Sequence, residues 1–230
     1  MKPTDILGNI KLYNADNMEV MKTFKDKQFS LAIIDPPYGI NIANRTGSIG
    51  QKKGQGKLTN YAKKEWDNAV PDGNYWSELF RISKNQIVFG ANYFTQYLPE
   101  SRGWVVWDKK QPEGVSFAMA ELAYTSFDVS VKMFSCSRAF IGNPVSNNPR
   151  KAQAFIKIHP TQKPVQLYKW LLQNYAKEGD TILDTHFGSL SIGIACHDMK
   201  FDLTAIELDA DYYEQAKQRL IYHQRQLTLF

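Results

Sequence analysis

The sequence predicts an α/β fold, a mostly parallel mixed sheet with helices on both faces, and three observations lead there. Short apolar runs alternate along the chain with stretches that read as helices. Runs such as Phe29-Ser30-Leu31-Ala32-Ile33-Ile34 suit a strand buried on both faces. The runs end in Asp35, Asp184 and Glu207, where such sheets place their ligands. At 230 residues the chain fits one domain, 1–230, large enough to bury a core.

The elements follow in order. Lys11-Leu12-Tyr13 reads as a strand, residues 17–24 as a short helix, and residues 29–34 as the strand before Asp35. Residues 41–64 are rich in Gly, Lys, Asn and Gln and read as a long mobile loop. A helix around 75–83 precedes strand Gln86-Ile87-Val88-Phe89. Trp104 to Trp107 and Glu121 to Thr125 read as further strands. Residues 137–157, with Pro144 and Pro149, read as irregular. Val165 to Ala176 reads as a helix entered through Pro164. Thr181-Ile182-Leu183, residues 189–198 and Leu203 to Ile206 give strand, helix and strand. Asp209 caps a last helix over 210–224.

Composition narrows the class. No apolar run approaches the roughly 20 residues needed to span a bilayer. Met1-Lys2-Pro3-Thr4-Asp5 leads into no secretory signal. Cys136 and Cys196 are too few and too far apart for a disulfide framework or a zinc site, so no metal is expected and a reducing cytoplasm is the simplest compartment. The net charge is +5, and it is segregated. Residues 41–64 carry Arg45, Lys52, Lys53, Lys57, Lys63 and Lys64 and no acid. Residues 129–158 carry Lys132, Arg138, Arg150, Lys151 and Lys157, again with no acid. Segregation on this scale predicts a surface that faces phosphates.

Asp35-Pro36-Pro37-Tyr38 leaves its strand in an unusual way. Two prolines fix the backbone and remove two N–H donors. A carboxylate, the Pro36 carbonyl and an aromatic ring then make a site for a flat donor such as the amino group of a nucleobase. The tetrapeptide resembles motif IV of the amino-methyltransferases, which methylate exocyclic nitrogens of DNA bases.

A second site is predicted downstream. Asp184 runs into Thr185-His186-Phe187-Gly188-Ser189, which opens a helix. About 20 residues later a strand ends in Glu207, an acid placed as in dinucleotide folds to accept ribose hydroxyls. Asp35 to Tyr38, then His159-Pro160-Thr161-Gln162-Lys163-Pro164, then Asp184 to Ser191, then Glu207 together resemble the beta group of DNA adenine-N6 methyltransferases. Asn14-Ala15-Asp16-Asn17, Gly90-Ala91-Asn92-Tyr93 and Gly103 to Trp107 fit the same pattern, so the resemblance covers most of the chain.

The resemblance implies a single Rossmann-like methyltransferase domain in circularly permuted motif order, with the catalytic half first. It implies transfer of a methyl group from S-adenosyl-L-methionine to N6 of an adenine flipped from double-stranded DNA. Asp35 and the Pro36 carbonyl, with Pro37 shaping the turn, would accept the amine hydrogens, and Tyr38 would stack on the base. Asp16 would hold the cofactor's adenine amine and Glu207, beside Leu208, its ribose. Asp184, Gly188 and the Thr161–Lys163 turn would surround its methionine portion, and Asp35, His159, Pro160, Thr185, His186 and Ser189 would also bind the cofactor. The basic residues would lie on phosphates, and target recognition would fall within 109–158. The setting implied is the cytoplasm of a bacterium, or a phage gene, in restriction–modification. N4-cytosine methylation, a catalytically impaired DNA-binding relative and RNA methylation are the alternative readings.

One position departs from the pattern. The family's cofactor loop reads Asp-Pro-Phe-x-Gly-Ser-Gly, and here Leu190 replaces the last glycine while His186 replaces an aromatic that could still stack. The departure puts cofactor affinity in question. Gly54-Gln55-Gly56-Lys57 fails the phosphate-loop pattern because Leu58 follows the lysine. The chain ends Gln226-Leu227-Thr228-Leu229-Phe230, which resembles the peptide by which bacterial replication proteins dock on the sliding clamp. The same tail could instead fold onto its own sheet or onto a second copy of the chain.

Overall fold

The computed structural model describes residues 1–40, 67–111, 118–137 and 157–227. Among these residues nine strands form one sheet: β1 (Asp5–Leu7), β2 (Ile10–Asn14), β3 (Phe29–Ile34), β4 (Ser83–Phe89), β5 (Trp104–Asp108), β6 (Ala120–Thr125), β7 (Lys132–Ser135), β8 (Thr181–Asp184) and β9 (Asp202–Glu207). Their order is β1-β2-β9-β8-β3-β4-β6-β5-β7. The centre, β2-β9-β8-β3-β4, is parallel throughout, while β1 and β6 run antiparallel to their neighbours. The α-helices among the described residues are α1 (Asn17–Met21), α2 (Gly73–Ile82), α3 (Val165–Tyr175), α4 (Ser191–Met199) and α5 (Ala210–Leu227).

The period-2 geometry of β3 sorts its side chains to two cores. Leu31 and Ile33 pack with Leu167, Leu171 and Ile192 from α3 and α4. Ala32 and Ile34 pack with Val20, Trp76 and Leu79 from α1 and α2. A mostly parallel sheet needs both covers because both of its faces are apolar.

Two strands were not foreseen. β1 is a three-residue edge hairpin partner of β2, and β7 is an edge strand paired in parallel with β5. Met133 of β7 is 66% exposed, so its apolar side chain points the wrong way for the pattern by which a strand is read. Boundaries also moved. α1 stops at Met21 where the sequence reading ran to 24, and β4 begins at Ser83, directly after α2. α5 continues through Leu227, so the terminal pentapeptide begins inside the helix, while residues 228–230 lie outside the described residues.

The order of the sheet reverses between β8 and β3. From β8 the chain passes through α4 to β9 on one side, and from β3 through α2 to β4 on the other. Asp184 and Asp35 stand at the ends of these two strands, where the crevice of an open α/β sheet lies.

Candidate functional site

A cleft runs along the carboxyl ends of β2, β9, β8 and β3. Asp16, Asp35, His159, Thr161, Lys163, Thr185, His186, Gly188, Ser189, Glu207 and Leu208 all line it, with Pro37, Asn17, Gln162, Tyr168 and Tyr212. Pro36, Tyr38, Pro160 and Asp184 are not among its lining residues, and Asp184 sits behind the 185–189 turn, 2% exposed.

The turn after β8 is held from several sides. Glu207 Oε2 accepts from the Gly188 N–H at 2.9 Å and Oε1 accepts from the Asp209 N–H at 2.9 Å. Burial pushes the Glu207 carboxyl up to about 7, against the pull of those N–H groups. Burial likewise pushes Asp184 up to about 8, although the His186 N–H donates to its Oδ1 at 3.0 Å. Arg219 of α5, which sequence reading missed, is 7% exposed and donates from Nη1 to the Ser189 carbonyl at 2.6 Å and to Ser191 Oγ at 3.1 Å.

His186 does not offer a free face. Asn17 Nδ2 lies 2.9 Å from its Nε2, Thr185 Oγ1 lies 2.9 Å from its Nδ1, and Thr185 Oγ1 lies 2.7 Å from the Tyr75 hydroxyl. With the Asn17 amide donating, the proton sits on Nδ1 and runs on to Thr185. Burial holds His186 down at about 4, so the ring is neutral at pH 7. Its edge meets the Tyr75 ring at 5.4 Å, so the aromatic this residue replaces is answered by a polar chain across the cleft floor. His159 is also neutral, held down to about 3 by burial, and its Nδ1 accepts from Thr161 Oγ1 at 3.0 Å. Asp16 caps α1 through Oδ1, accepting from the Met18 and Glu19 N–H groups at 2.8 and 3.2 Å.

Leu190 lies outside the cleft. Its backbone is left-handed, at φ 54°, and its side chain is 1% exposed within the core of α3 and α4. The left-handed conformation is the one glycine adopts freely. Here leucine adopts it and turns its side chain away from the site.

The base end of the cleft holds a cluster of charge. Lys163, 2% exposed at its side chain, places Nζ 2.5 Å from Asp35 Oδ2 and 2.7 Å from Glu121 Oε1. Lys109 Nζ lies 2.9 Å from Glu121 Oε2. The Tyr38 hydroxyl lies 2.6 Å from Asp35 Oδ1 and 2.8 Å from Glu121 Oε1. Burial lifts the Asp35 carboxyl above its ordinary value, against the pull of Lys163. Burial also works on Glu121, but Lys163 and Lys109 outweigh it and hold that carboxyl at about 2.

Two placements were not part of the sequence reading. Lys163, expected beside the cofactor's methionine portion, extends to Asp35 because two carboxylates claim its ammonium. The Tyr38 ring, expected to be open to a base, already stacks on Tyr93 at 5.0 Å and 13°. The Asp35–Tyr38 turn is fixed by Asp67, 1% exposed, whose Oδ1 accepts from the Tyr38 and Gly39 N–H groups at 2.8 and 3.0 Å. Glu121 had one signal in the sequence, an acid inside the apolar strand Ala120-Glu121-Leu122-Ala123-Tyr124. The nine predicted phosphate contacts, Arg45, Lys52, Lys53, Lys57, Lys63, Lys64, Arg138, Arg150 and Lys151, lie outside the described residues.

Comparison with known proteins gives the family. A family model described as DNA methylase, of the N6/N4 type, matches residues 63–218. The Type II methyltransferase M.HpaI of Haemophilus parainfluenzae is 23% identical over 243 residues, covering 91% of this chain and 74% of that protein. The Type II methyltransferase M2.DpnII of Streptococcus pneumoniae is 21% identical over 254 residues, covering 95% and 92%. Among solved structures, the cytosine-N4-specific PvuII DNA methyltransferase superposes with a TM-score of 0.62 at 15% identity, covering 99% of this chain and 95% of that one. M1.HpyAVI, solved as a complex with SAM, superposes at 0.56 with 19% identity, covering 92% and 100%.

Proposed function

The chain belongs to the N6/N4 family of DNA methylases, and we propose that it transfers the methyl group of S-adenosyl-L-methionine to N6 of an adenine flipped out of double-stranded DNA. The observation that carries this reading is the position of Asp35. It stands at the switch point of the sheet, at the border of the cleft, with its carboxylate held by Lys163 and Tyr38.

The cleft fits the cofactor. Its lining acids, Asp16, Asp35 and Glu207, offer acceptors of the kind that a ribose and two cationic groups need. The second oxygen of Asp16 would take the adenine amine, Glu207 beside Leu208 the ribose, and the 184–189 turn with His159 and Thr161 the methionine portion. The cofactor supplies a methyl group already activated on sulfonium. The protein's task is therefore orientation of a weak nucleophile, because the amine lone pair is delocalised into the base. Asp35 Oδ1 and the Pro36 carbonyl would accept the two amine hydrogens and favour the pyramidal nitrogen. The base must displace Tyr93 from the Tyr38 ring or stack beside it, and unstacking it from the duplex costs a few kcal/mol.

The basic residues of 41–64 and 129–158 would bind phosphates, which makes binding salt-dependent, and 109–158 would read the target sequence within a single domain. The leucine in the cofactor loop gives no support to a catalytically impaired relative, because its side chain is in the core. N4-cytosine methylation is the second reading, favoured by the likeness to a cytosine-N4 enzyme; Asp rather than Ser before the prolines favours adenine. No helix among the described residues is long and apolar enough to cross a membrane. Gln226 to Phe230 would fold back onto the chain's own sheet or a second copy of the chain, or dock on a sliding clamp, and binding to purified clamp before and after its deletion would tell the last from the first two.

The test is incubation with labelled S-adenosylmethionine and genomic DNA, digestion to nucleosides and mass analysis. N6-methyladenine is expected. N4-methylcytosine would establish the second reading, and absence of label in DNA would remove both.

A further inference from the structure

We propose that Glu121 is a positioning residue of methyl transfer: it shares the Lys163 ammonium and the Tyr38 hydroxyl with Asp35, and so governs when Asp35 Oδ1 is an acceptor for the amine. The inference rests on the methyltransferase reading above and adds a residue to it.

The argument is a count of hydrogens. Tyr38 has one hydroxyl hydrogen, yet its oxygen lies within 2.8 Å of carboxylate oxygens on both Asp35 and Glu121. With both acids ionised, one of these two contacts has no hydrogen in it. Lys163 does not fill the gap, because its contacts go to Asp35 Oδ2 and Glu121 Oε1. The cluster is therefore one hydrogen short, and the Tyr38 hydrogen lies on the shorter contact, to Asp35 Oδ1 at 2.6 Å. Glu121 has two ammonium groups, at 2.7 and 2.9 Å, and Asp35 has one. A proton entering the cluster therefore settles on Asp35, donates to the Tyr38 oxygen and leaves Tyr38 donating to Glu121. When that proton is absent, Asp35 Oδ1 has a second lone pair for the amine hydrogen beside the one that takes the Tyr38 hydrogen.

The chemical step balances on this arrangement. The N6 lone pair forms the new N–C bond as the C–S bond breaks and its electron pair stays on sulfur. One N–H proton is then lost, and Asp35 Oδ1, already bonded to that hydrogen, receives it. Glu121 stays ionised through both states and does not touch the base.

The groups facing Asp35 fix the sign of the pH dependence. They are Lys163 ahead of α3, Glu121 of β6 with Lys109 behind it, Tyr38 of its own turn, Asp184 at the end of β8 and Tyr168 of α3. Glu121→Gln removes one negative neighbour while its amide oxygen still accepts from Lys163 or Lys109. Asp35 then ionises more readily.

The experiment is the pH profile of kcat for wild type, Glu121→Gln and Glu121→Asp, with saturating S-adenosylmethionine and DNA. The acid limb is expected to move to lower pH by about one unit in Glu121→Gln and to stay near the wild-type position in Glu121→Asp, which keeps the charge. A Glu121→Gln limb at or above the wild-type position overturns the proposal. If the variant folds without measurable turnover, carbon-13 NMR titration of the Asp35 carboxyl in labelled protein gives the same decision from the same direction of shift. Wild-type protein that transfers no methyl group would overturn the underlying reading instead, so the two failures are distinct.

Discussion

Leu190 backs onto Gly193: a Cβ at position 193 would stand 2.6 Å from Leu190 Cγ and 2.8 Å from its Cδ1. The two residues exchange roles. The loop carries a leucine where its backbone favours glycine, and the helix one turn later carries a glycine where it would favour alanine. Gly193→Ala is expected to destabilise the protein by about 1–3 kcal/mol through overpacking, and Leu190→Ala in the same background should recover part of that loss. Leu190→Gly relieves left-handed strain but deletes a buried side chain, at a net cost of about 1–4 kcal/mol. Because the side chain faces the core, affinity for S-adenosylmethionine should be unchanged. Calorimetry showing a large loss of affinity in folded Leu190→Gly would contradict this geometry.

Gly90 supports the Tyr38 ring. Its φ is +64°, and a Cβ there would lie 2.2 Å from Tyr38 Cε1. Gly90→Ala should displace the ring, with its hydroxyl, from Asp35 and Glu121. Turnover should fall by at least about tenfold while cofactor affinity is retained. Wild-type turnover in this variant would show that the observed Tyr38 position has no bearing on the reaction.

Cofactor binding should release protons. Burial holds Asp184 at about 8 and Glu207 at about 7, so both are partly protonated near neutrality without cofactor. A cationic ligand favours their ionised forms. Affinity should therefore rise with pH from about 6 to 8, and calorimetry in buffers of different ionisation enthalpy should register the released protons. Stability of the free protein runs the other way. The folded-state values exceed the ordinary 3.8 and 4.5, so the folded state binds more protons and this contribution to stability is lost as pH rises from about 4 to 8. A pH-independent affinity over this window would rule out titration of these two acids on binding.

Arg219 ties α5 to the cofactor turn. Arg219→Met removes its bonds to Ser189 and Ser191, and should weaken S-adenosylmethionine binding by about tenfold in protein that circular dichroism shows to be folded. Unchanged affinity would mean that the turn holds its shape without the guanidinium.

What the sequence revealed depended on how local the signal was. The central strands β3, β4, β8 and β9 are legible because burial on both faces gives mostly apolar runs, and β2 is legible from Leu12 and Tyr13 although Lys11 beside them is exposed. The acids at their ends are legible because a strand that stops in Asp or Glu is a local event. β1 and β7 were not, since edge strands are short and carry outward apolar groups such as Met133. Glu121 and Arg219 were missed for another reason. Each joins the site only through the fold, from β6 and α5, and no spacing along the chain brings them near Asp35 or Ser189. Leu190 was visible as a departure, but its side-chain direction was not, because that follows from the left-handed backbone and from the absence of a Cβ at Gly193.

The measurement that tests the account most directly is single-turnover methyl transfer by Asp35→Ala against wild type, at matched occupancy of S-adenosylmethionine. The account predicts a fall of at least about a hundredfold in a folded protein that still binds the cofactor. A rate within about tenfold of wild type would contradict Asp35 as the acceptor of the amine, and with it the role assigned to Glu121.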